Sequence, residues 1–436
     1  MLEISNDYVL KLKELIKCDT VSKLQIVNEK KSYEFKEVLK NLFPNVFRKC
    51  RIKEIDNSVV IEMIGKRSSA PVLFLSHFDT ADINGEWEHG PLDGDVEDGK
   101  IYGRGSLDAK GNLFCILEAF EELIQEEYMP SQDFYLALVC DKESEDQSIN
   151  NIYTYFKNSG IYFSYVMDEG GCIIDSPING LNKNYAVVGL GEKGSAVLKF
   201  ISSIKGGSTI APVSDSALIR LGLFAEEFDY GDVFKKSIHK SLHPLFYKLS
   251  QDMNGFKKFI FSKSKIFSPI IKLMLKKDPL VLSLIQSSLS FVSIHGSDST
   301  NTIPSEAYAI ANLRIGLNDS LDNCLKRIND IARHYDIKVE VLKEEDATRV
   351  TSTNSYQFMA LEEVIKDEFD NIDVIPFVSI STCDARIMDR LCGNCYRFIP
   401  FKVTNDQILR IHGLDENIDI NNLERAVSFY KKLIKK

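Results

Sequence analysis

A histidine and two aspartates follow one another in a spacing that suits metal coordination. His77 and Asp79 are separated by one residue, and Asp108 follows within the glycine-rich sequence GRGSLDAKG. An imidazole and two carboxylates, one of them placed to hold the second ring nitrogen, are donor groups of a divalent metal site. A single H-x-D pair also arises by chance, as a solvated loop acid beside an ordinary histidine. The second aspartate, in its own motif, favours the metal site.

The elements predicted around these residues would place them at one edge of a sheet. Val72–Leu75 is a short apolar run typical of a buried strand, and a helical pattern covers Asn112–Glu127. Strand and helix patterns alternate further along the chain, which favours an α/β domain with a mostly parallel sheet and helices on both faces. Ligands of such sheets bind beyond the carboxyl ends of the strands. His77, Asp141–Glu145 and Asp168–Glu169 all fall at such ends.

The composition is that of an acidic globular protein. The chain has 436 residues, of which 44% are hydrophobic and 27% charged, with a net charge of −10 and a pI near 5.4. This length suits two domains. The acidic balance argues against nucleic acid or an anionic membrane as the main partner, because neither attracts a negative surface. The net charge leaves open a local basic patch, for instance along Lys235–Lys277.

Targeting signals and cysteine usage point to a cytoplasmic protein. The sequence MLEISNDYVLKLKELI predicts an amphipathic helix with acidic residues and not a signal peptide, and no run of 18 apolar residues predicts a membrane span. The 9 cysteines, an odd number scattered along the chain, favour reduced thiols. Cys392 and Cys395 form a C-x-x-C, but without a second pair a zinc knuckle is disfavoured.

The pattern of elements changes near Glu192, where a separate smaller domain is expected. A strand pattern, a helix over Val213–Glu227 and a strand over Glu306–Leu313 follow without the acidic motifs of the first part. We expect an inserted α+β domain at residues 193–345, with a Lys- and Ser-rich helical insertion at about 235–293. The first domain is then discontinuous, at residues 1–192 and 346–436. Within it, Phe47–Ile55 is expected to be strand-like.

Several longer motifs, in order along nearly the whole chain, carry a resemblance to a known family. They are SHFDT, W-x-H-x-P, DGKIYGRGSLDAKG and the helical ILEAFEELI. In these the chain resembles the di-zinc aminoacylase and carboxypeptidase family of metallopeptidase clan MH, and within it the carboxypeptidase S and N-acyl-amino-acid hydrolase branch. The resemblance implies a zinc-peptidase-like catalytic domain with two divalent metal ions, zinc first, with cobalt or manganese as alternatives. It also implies that the inserted domain serves as a lid and as a homodimer surface.

The same resemblance implies a set of metal ligands. Asp108 would bridge the two ions, and Asp79 would hold the second ring nitrogen of His77 and fix its tautomer. Apart from the bridge, each ion would have one histidine and one terminal carboxylate. These ligands would be His77, His412 in the sequence RIHGLDE, Glu143 and Glu169, with Asp168 as the alternative to Glu169.

Two positions depart from the family pattern. Relatives have two consecutive glutamates after the third strand, the first acting as general base on a water molecule, and here that position is Lys142. A lysine cation cannot accept a proton unless its pKa is strongly depressed. In a register shifted by one residue, Glu143 would be the base and Glu145 the ligand. In the inserted domain, Ser208 replaces the histidine that stabilises the oxyanion in relatives, and losing one such donor costs about 10²–10³ in rate.

Two further positions resemble substrate contacts of the family. Asn301, in TNTIP, resembles an asparagine that contacts the substrate. Arg386 resembles an arginine that grips a substrate carboxylate, which a guanidinium binds through two hydrogen bonds. Ser381 and Thr382 replace glycines of the family. Asp384 and Arg386 could equally form a structural ion pair.

These features support two functions. The first is a metal-dependent hydrolase that cleaves the amide bond of an N-acyl amino acid or of a small peptide with a free carboxylate. The second is a catalytically impaired family member that binds metal and ligand without hydrolysis, as Lys142 and Ser208 suggest. A nucleotide-binding oxidoreductase is disfavoured, because GRGSLDAKG is not a dinucleotide fingerprint and the glycine motif at residues 189–194 lacks the helix that should follow it. In both cases the expected partner is a small molecule or peptide.

Overall fold

The chain divides into two compact units. The computed structural model describes residues 6–22, 29–144, 147–175, 183–210, 215–230, 232–275, 282, 284–379 and 382–436. The first unit consists of Met1–Gly191 and Thr351–Lys436, and the second of Glu192–Val350. The second unit is therefore an insertion between two parts of the first.

Strands occur in all three stretches of the chain. Those before the insertion are β1 (Arg51–Ile55), β2 (Ser58–Met63), β3 (Val72–His77), β4 (Val96–Glu97), β5 (Lys100–Tyr102), β6 (Phe134–Val139), β7 (Tyr165–Asp168), β8 (Ile173–Ile174) and β9 (Asn184–Glu192). Those of the insertion are β10 (Gly194–Ser203), β11 (Gly207–Ser208), β12 (Ser288–His295), β13 (Thr302–Ile303), β14 (Glu306–Ile315) and β15 (Ile337–Glu345). Those after it are β16 (Ile372–Ser379), β17 (Cys395–Arg397), β18 (Lys402–Val403) and β19 (Asn417–Asp419).

Helices are distributed over the same three stretches. Those before the insertion are α1 (Asn6–Lys17), α2 (Glu29–Leu42), α3 (Pro44–Lys49), α4 (Lys110–Gln125) and α5 (Gln147–Asn158). Those of the insertion are α6 (Ala217–Tyr230), a 3₁₀ turn (Lys240–Leu242), α7 (His243–Gln251), α8 (Gly255–Ser262), α9 (Ser268–Leu275) and α10 (Leu321–His334). Those after it are α11 (Tyr356–Glu368), α12 (Ala385–Met388), α13 (Asn405–Arg410) and α14 (Asn421–Lys435). Among the described residues, no helix combines the length and the apolar character needed to cross a membrane.

The first unit is built on one large mixed sheet. Its strand order is β1-β2-β6-β3-β7-β17-β9-β8-β18, and β16 pairs with β9. The central strands β6, β3, β7 and β17 are parallel neighbours, whereas β1, β2 and β9 pair antiparallel. The α/β class expected from the alternation of patterns is confirmed, with the parallel pairing concentrated at the centre of the sheet.

Helices cover both faces of this sheet. The side chains of β3 alternate between two apolar clusters, as the period of two of a strand requires. Val72 and Phe74 pack with residues of α1, α2, α3, α4, α11 and α14. Leu73 and Leu75 pack with residues of α5 and α12. All residues of β3 are therefore buried, and the strand has the continuous apolar sequence typical of a sheet centre.

The second unit is an antiparallel sheet with helices packed on it. The strand order is β12-β14-β10-β15, and residues of β10 alternate between buried and partly exposed positions. The buried residues Leu198 and Phe200 pack against Leu221 and Phe224 of α6 and Ile328 of α10. This is the α+β composition expected for the inserted domain.

The predicted helical insertion is too long at its carboxyl end. Residues 288–293 belong to β12, which pairs antiparallel with β14. In the sequence SLSFVSIH, apolar Leu289 and Phe291 alternate with serines, so the period of two that defines a strand outweighs the helical character of the preceding segment. The expected boundary at 293 is therefore wrong.

The expected strand at Phe47–Ile55 is a helix at its start. Pro44 opens α3, a position that suits the fixed φ of proline. The N–H groups of Asn45 and Val46 donate to the buried carboxylate of Glu121, at 3.0 and 2.8 Å. Because this acceptor comes from α4, the only local signal for the helix start is Pro44.

Candidate metal centre

Three neighbouring strands end at the edge of the sheet where the predicted ligands lie. His77 is the last residue of β3, Glu143 follows β6 and Glu169 follows β7. Since β6, β3 and β7 are parallel neighbours, their carboxyl ends meet at one edge. Asp108 reaches this edge from the turn before α4, and His412 from the turn after α13.

The carboxylate of Asp108 lies between two imidazoles. Its Oδ1 is 3.2 Å from Nε2 of His77, and its Oδ2 is 3.1 Å from Nε2 of His412. Nε2 of His412 is also 3.2 Å from Oε1 of Glu143. Ligand atoms of His77, Asp108 and Glu143 all lie within 4.8 Å of one another. Asp108 therefore occupies the position of a carboxylate shared by two coordination shells.

Asp79 orients His77 mainly through its backbone. Nδ1 of His77 is 2.9 Å from the carbonyl oxygen of Asp79 and 3.4 Å from the carboxylate, so the carbonyl is the closer acceptor. An N–H at Nδ1 leaves Nε2 with the lone pair that a metal ligand needs. The carboxylate of Asp79 instead accepts the N–H groups of Lys142 and Glu143, at 3.1 and 2.8 Å, and the hydroxyl of Ser22 at 2.8 Å. Asp79 thus links the histidine to the loop that carries Glu143.

The structure distinguishes Asp168 from Glu169. Oδ1 of Asp168 accepts the N–H of Glu169 at 2.9 Å, and Oδ2 accepts the N–H of Ala385 at 2.6 Å. Oε2 of Glu169 is buried and has no hydrogen-bond partner among the described residues. Burial and the neighbouring Asp168 raise the pKa of Glu169 well above its ordinary value. A buried carboxylate oxygen without a donor is suited to a cation, which favours Glu169 over Asp168 as a ligand.

The electrostatics of the cluster favour positive charge between these groups. Hydrogen bonds to Asp108 and Glu143 raise the pKa of His412 to about 10. Burial lowers the pKa of His77, but hydrogen bonds to Asp108 and Asp79 outweigh it and hold that pKa well above its usual range. Burial raises the pKa of Asp108, yet the two imidazoles hold it well below its usual range. The carboxylates therefore stabilise cations on both sides of Asp108.

The donor set and its spacing fit divalent metal ions. Two imidazole nitrogens with carboxylate oxygens are ligands that zinc accepts, at about 2.0–2.2 Å. Ligand atoms at that distance and at tetrahedral angles lie roughly 3.3 Å apart. The contacts of Asp108 with His77 and His412, at 3.2 and 3.1 Å, are close to this value.

Two supporting residues were not singled out by the sequence. The buried carboxylate of Glu416 accepts the N–H groups of Leu107 and Asp108, at 2.9 and 3.0 Å, and pairs with Arg104 at 2.9 Å. Arg104 also donates to the carbonyl oxygen of His412 at 3.2 Å. Both residues lie within motifs noted above, GRGSLDAKG and RIHGLDE, but only the fold shows that they contact each other.

Lys142 is paired with a carboxylate beside the cluster. Its Nζ lies 3.5 Å from Oδ1 of Asp384, and both side chains are almost fully buried. Asp384 therefore pairs with Lys142, whereas the sequence suggested Arg386 as its partner. Arg386 is a half-buried residue of α12. Glu145 of the shifted register and Ser381 lie outside the described residues.

The two predicted substrate residues of the second unit are neighbours within that unit. β11 pairs with β13, with Ser208 opposite Thr302, and the N–H of Thr209 donates to the carbonyl oxygen of Asn301 at 3.3 Å. Ser208 and Asn301 are both exposed. The structure thus brings these two residues together at one two-stranded antiparallel sheet.

Comparisons with known proteins extend over the whole site. Peptidase family M20/M25/M40 matches residues 73–436. A protein from Dictyostelium discoideum named probable carboxypeptidase S-like 2 is 31% identical over 410 residues, 92% of this chain and 79% of that protein. Human N-fatty-acyl-amino acid synthase/hydrolase PM20D1 is 28% identical over 374 residues, 84% and 74% of the two chains. The M20 family metallo-carboxypeptidase Sso-CP2 from Sulfolobus solfataricus has the same fold, with a TM-score of 0.71 at 18% identity and 99% of each chain covered.

The matched region contains every predicted ligand from His77 to His412. The resemblance drawn from the motifs is confirmed, and with it an enzyme class whose members use divalent metal ions and act on small molecules or peptides. The chain belongs to peptidase family M20/M25/M40 and is a metallopeptidase-type hydrolase.

Proposed function

We propose that the protein hydrolyses the amide bond of an N-acyl amino acid or of a small peptide that ends in a free carboxylate. The observation that supports this most directly is the position of Asp108, with one carboxylate oxygen toward each of two imidazoles. A shared carboxylate of this kind is typical of two-metal hydrolases. The names of the relatives, a carboxypeptidase S-like protein and an N-fatty-acyl-amino acid synthase/hydrolase, support the same substrate class.

Two divalent ions, zinc in the first place, are proposed as cofactors. His77 and Glu169 would hold one ion, His412 and Glu143 the other, and Asp108 would lie between them. His412 contacts both Asp108 and Glu143, which supports the second group. When bound, such ions polarise the scissile carbonyl group and lower the pKa of water, and so supply the electrophile and the nucleophile of the reaction.

The residues of the chain would position both the ligands and the substrate. Asp79 keeps the Nδ1 proton of His77 on the side away from the cluster. Arg386 would bind the free carboxylate of the substrate through two hydrogen bonds. Asn301 and Ser208 keep the substrate-binding roles implied by the resemblance. The first unit would serve as the metal-binding catalytic domain, and the second as lid and homodimer surface.

A second candidate function is binding of metal and ligand without turnover. The observation that favours it is the ion pair of Lys142 with Asp384 at the position of the usual general base. A lysine ammonium has three donors and no acceptor, so it cannot take a proton from water. Ser208 would also be a weaker oxyanion donor than the histidine of relatives.

One experiment separates the two candidates. Zinc content per chain is measured in the purified protein, and hydrolysis is assayed on a panel of N-acyl amino acids and dipeptides. The hydrolase proposal expects bound zinc and turnover. Glu143→Ala should lower the activity at least about 10³-fold, because it removes a proposed ligand of the second ion.

Variants of Lys142 complete the comparison. Lys142→Met and Lys142→Glu are measured beside Lys157→Glu, a charge reversal on the exposed side of α5. Zinc bound without turnover in the wild type, with turnover gained only in Lys142→Glu, selects the binding function. A protein that takes up no zinc would contradict both candidates.

A further inference from the structure

Positive charge is concentrated in one segment of the second unit. Residues 235–275, the basic helical segment, contain nine lysines and a single acidic residue, Asp252, although the whole chain has a net charge of −10. The segment includes the 3₁₀ turn and helices α7, α8 and α9. Burial and the nearby Lys265 also lower the pKa of His243, as expected in a positive environment. A partner of this segment must therefore be anionic.

Helix α8 presents aromatic side chains to solvent. Phe256 and Phe259 are 72% and 47% exposed, while Ile260 and Phe261 are buried. Residues three apart lie on the same side of a helix, so the two exposed rings form one face. The ammonium group of Lys263 lies 4.7 Å from the centre of the Phe259 ring. Cationic and aromatic groups thus share this face.

Helix α9 continues the pattern. Ile270, Leu273 and Met274 are exposed at spacings of three and four residues, while Ile271 between them is buried. Ile266, in the turn before α9, is 72% exposed. Exposed apolar side chains of this size thus recur on two successive helices, whereas single exposed apolar residues are what is normal on protein surfaces.

A cleft lies next to these apolar residues. It has a volume of about 720 Å³ and is lined by Lys240, Tyr247, Lys263, Lys265 and Ile266, among others. Three ammonium groups around a cleft suit a phosphate-containing group, and the apolar lining suits a hydrocarbon chain beside it. The cleft therefore combines the two chemistries of an anionic lipid.

We propose that the basic helical segment docks on an anionic lipid surface. Lysines beside exposed Phe, Ile, Leu and Met are the composition of helices that lie in the interface of a bilayer. Nucleic acid would use the lysines but not the apolar side chains, and a second copy of the same segment would meet like charge. The overall acidity of the chain does not oppose this docking, because the segment itself has nine lysines and a single acidic residue.

The proposal is tested with the full-length, zinc-loaded protein and vesicles of phosphatidylcholine with and without phosphatidylserine. We expect sedimentation with the anionic vesicles, weakening as ionic strength rises, and little with the neutral ones. Lys257→Glu/Lys258→Glu should bind at least about 25-fold more weakly, since each surface lysine contributes roughly fivefold. Phe256→Ser/Phe259→Ser should also lose binding, through the apolar contribution.

Matched controls change the same residue types elsewhere. Lys326→Glu/Lys338→Glu reverses two exposed lysines outside the segment, and Met129→Ser/Tyr162→Ser removes two exposed apolar side chains of the first unit. Both should bind vesicles like the wild type. Hydrolysis and zinc content are expected to be unchanged in all four variants. These two measurements therefore test the proposed hydrolase function independently of vesicle binding.

Three results would overturn the proposal. They are equal binding to neutral and anionic vesicles, wild-type vesicle binding by Lys257→Glu/Lys258→Glu, and no vesicle binding by the wild type. In the last case, dimerisation in solution or binding to an acidic protein, lost in the same variants, would identify a protein partner instead.

Discussion

At the scale of single residues, buried carboxylates that are not proposed as ligands hold the loops that carry the ligands. Asp79, Asp168 and Glu416 each accept backbone N–H groups of a neighbouring loop. Bonds between a carboxylate and backbone amides are stronger than neutral ones, and they fix the loop as well as the acid. The geometry of the cluster is therefore set by partners outside it.

Substitution of Glu416 should weaken metal binding without unfolding the protein. In Glu416→Gln one acceptor oxygen becomes an NH₂ group, which must face an N–H of Leu107 or Asp108 or the guanidinium of Arg104. We expect zinc affinity to fall about 10–100-fold, the cost typical of losing such a partner. Competition with a chromophoric chelator measures this directly.

The matched control is Glu363→Gln, on the exposed side of α11. It should bind zinc like the wild type. Unchanged affinity in Glu416→Gln, with native circular dichroism in both variants, would show that Glu416 does not position the cluster.

The structure brings predicted ligands together, but their arrangement depends on contacts that the sequence does not show. His77 and Asp108 were predicted as ligands from their residue types and spacing, and His412 from the resemblance of its motif to the family. The preference for Glu169 over Asp168 needed the hydrogen bonds of Asp168, which come partly from a residue far along the chain. The acceptor at Nδ1 of His77 was expected to be the Asp79 carboxylate, and the closer atom is its carbonyl oxygen. Residue types are local information, whereas hydrogen-bond partners are not.

At the scale of elements, the sequence predicted strands and helices well where the apolar residues clearly followed the period of a strand or that of a helix. Helix α1 runs over Asn6–Lys17 and β3 begins at Val72, as their apolar patterns indicate. The prediction was wrong where the deciding contact was distant, as in α3, or where a short alternating run followed a helical segment, as in β12. These are the positions at which tertiary contacts outweigh local propensity.

Removal of the Glu121 carboxylate should destabilise the first unit. Glu121 accepts the N–H groups of Asn45 and Val46 and the side-chain amide of Asn45. In Glu121→Ala the buried N–H of Val46 and the half-buried donors of Asn45 lose their acceptor, which costs about 2–3 kcal/mol of unfolding free energy. Denaturant unfolding should show a lower midpoint with an unchanged slope.

Glu121→Gln provides the graded comparison. Its amide oxygen still accepts, so its loss of stability should be smaller than that of Glu121→Ala. Equal stability of Glu121→Ala and the wild type would mean that α3 does not depend on this acceptor.

At the scale of the whole molecule, the proposed ligands all belong to the first unit, on both sides of the insertion. Residues 77–169 supply all of them but His412, which comes after the second unit. A ligand that binds only the folded state stabilises it by mass action. Metal binding should therefore stabilise one unit and leave the other unchanged.

Chelation is expected to lower the unfolding temperature of the first unit alone. At zinc concentrations of about 100 times Kd, binding contributes about 2.7 kcal/mol, which corresponds to several degrees for a unit of this size. Differential scanning calorimetry with and without dipicolinate should show one shifted transition and one unshifted transition, and added zinc should reverse the shift. Identical scans would contradict a metal site formed by these residues.

The position of β17 has a consequence for how the first unit is assembled. β17 lies between β7 and β9 in the sheet, although both of those strands precede the insertion and β17 follows it. Until residues 395–397 arrive, β7 has an edge whose backbone groups are unpaired at Val166–Asp168, and such an edge is a template for pairing with other chains. The pairing of β7 with β17 closes a loop that includes the whole second unit, and contacts between residues so far apart in sequence form slowly. Partly synthesised or truncated chains that lack β17 should therefore aggregate. The sheet is complete only after the whole insertion has been synthesised and β17 has paired with β7.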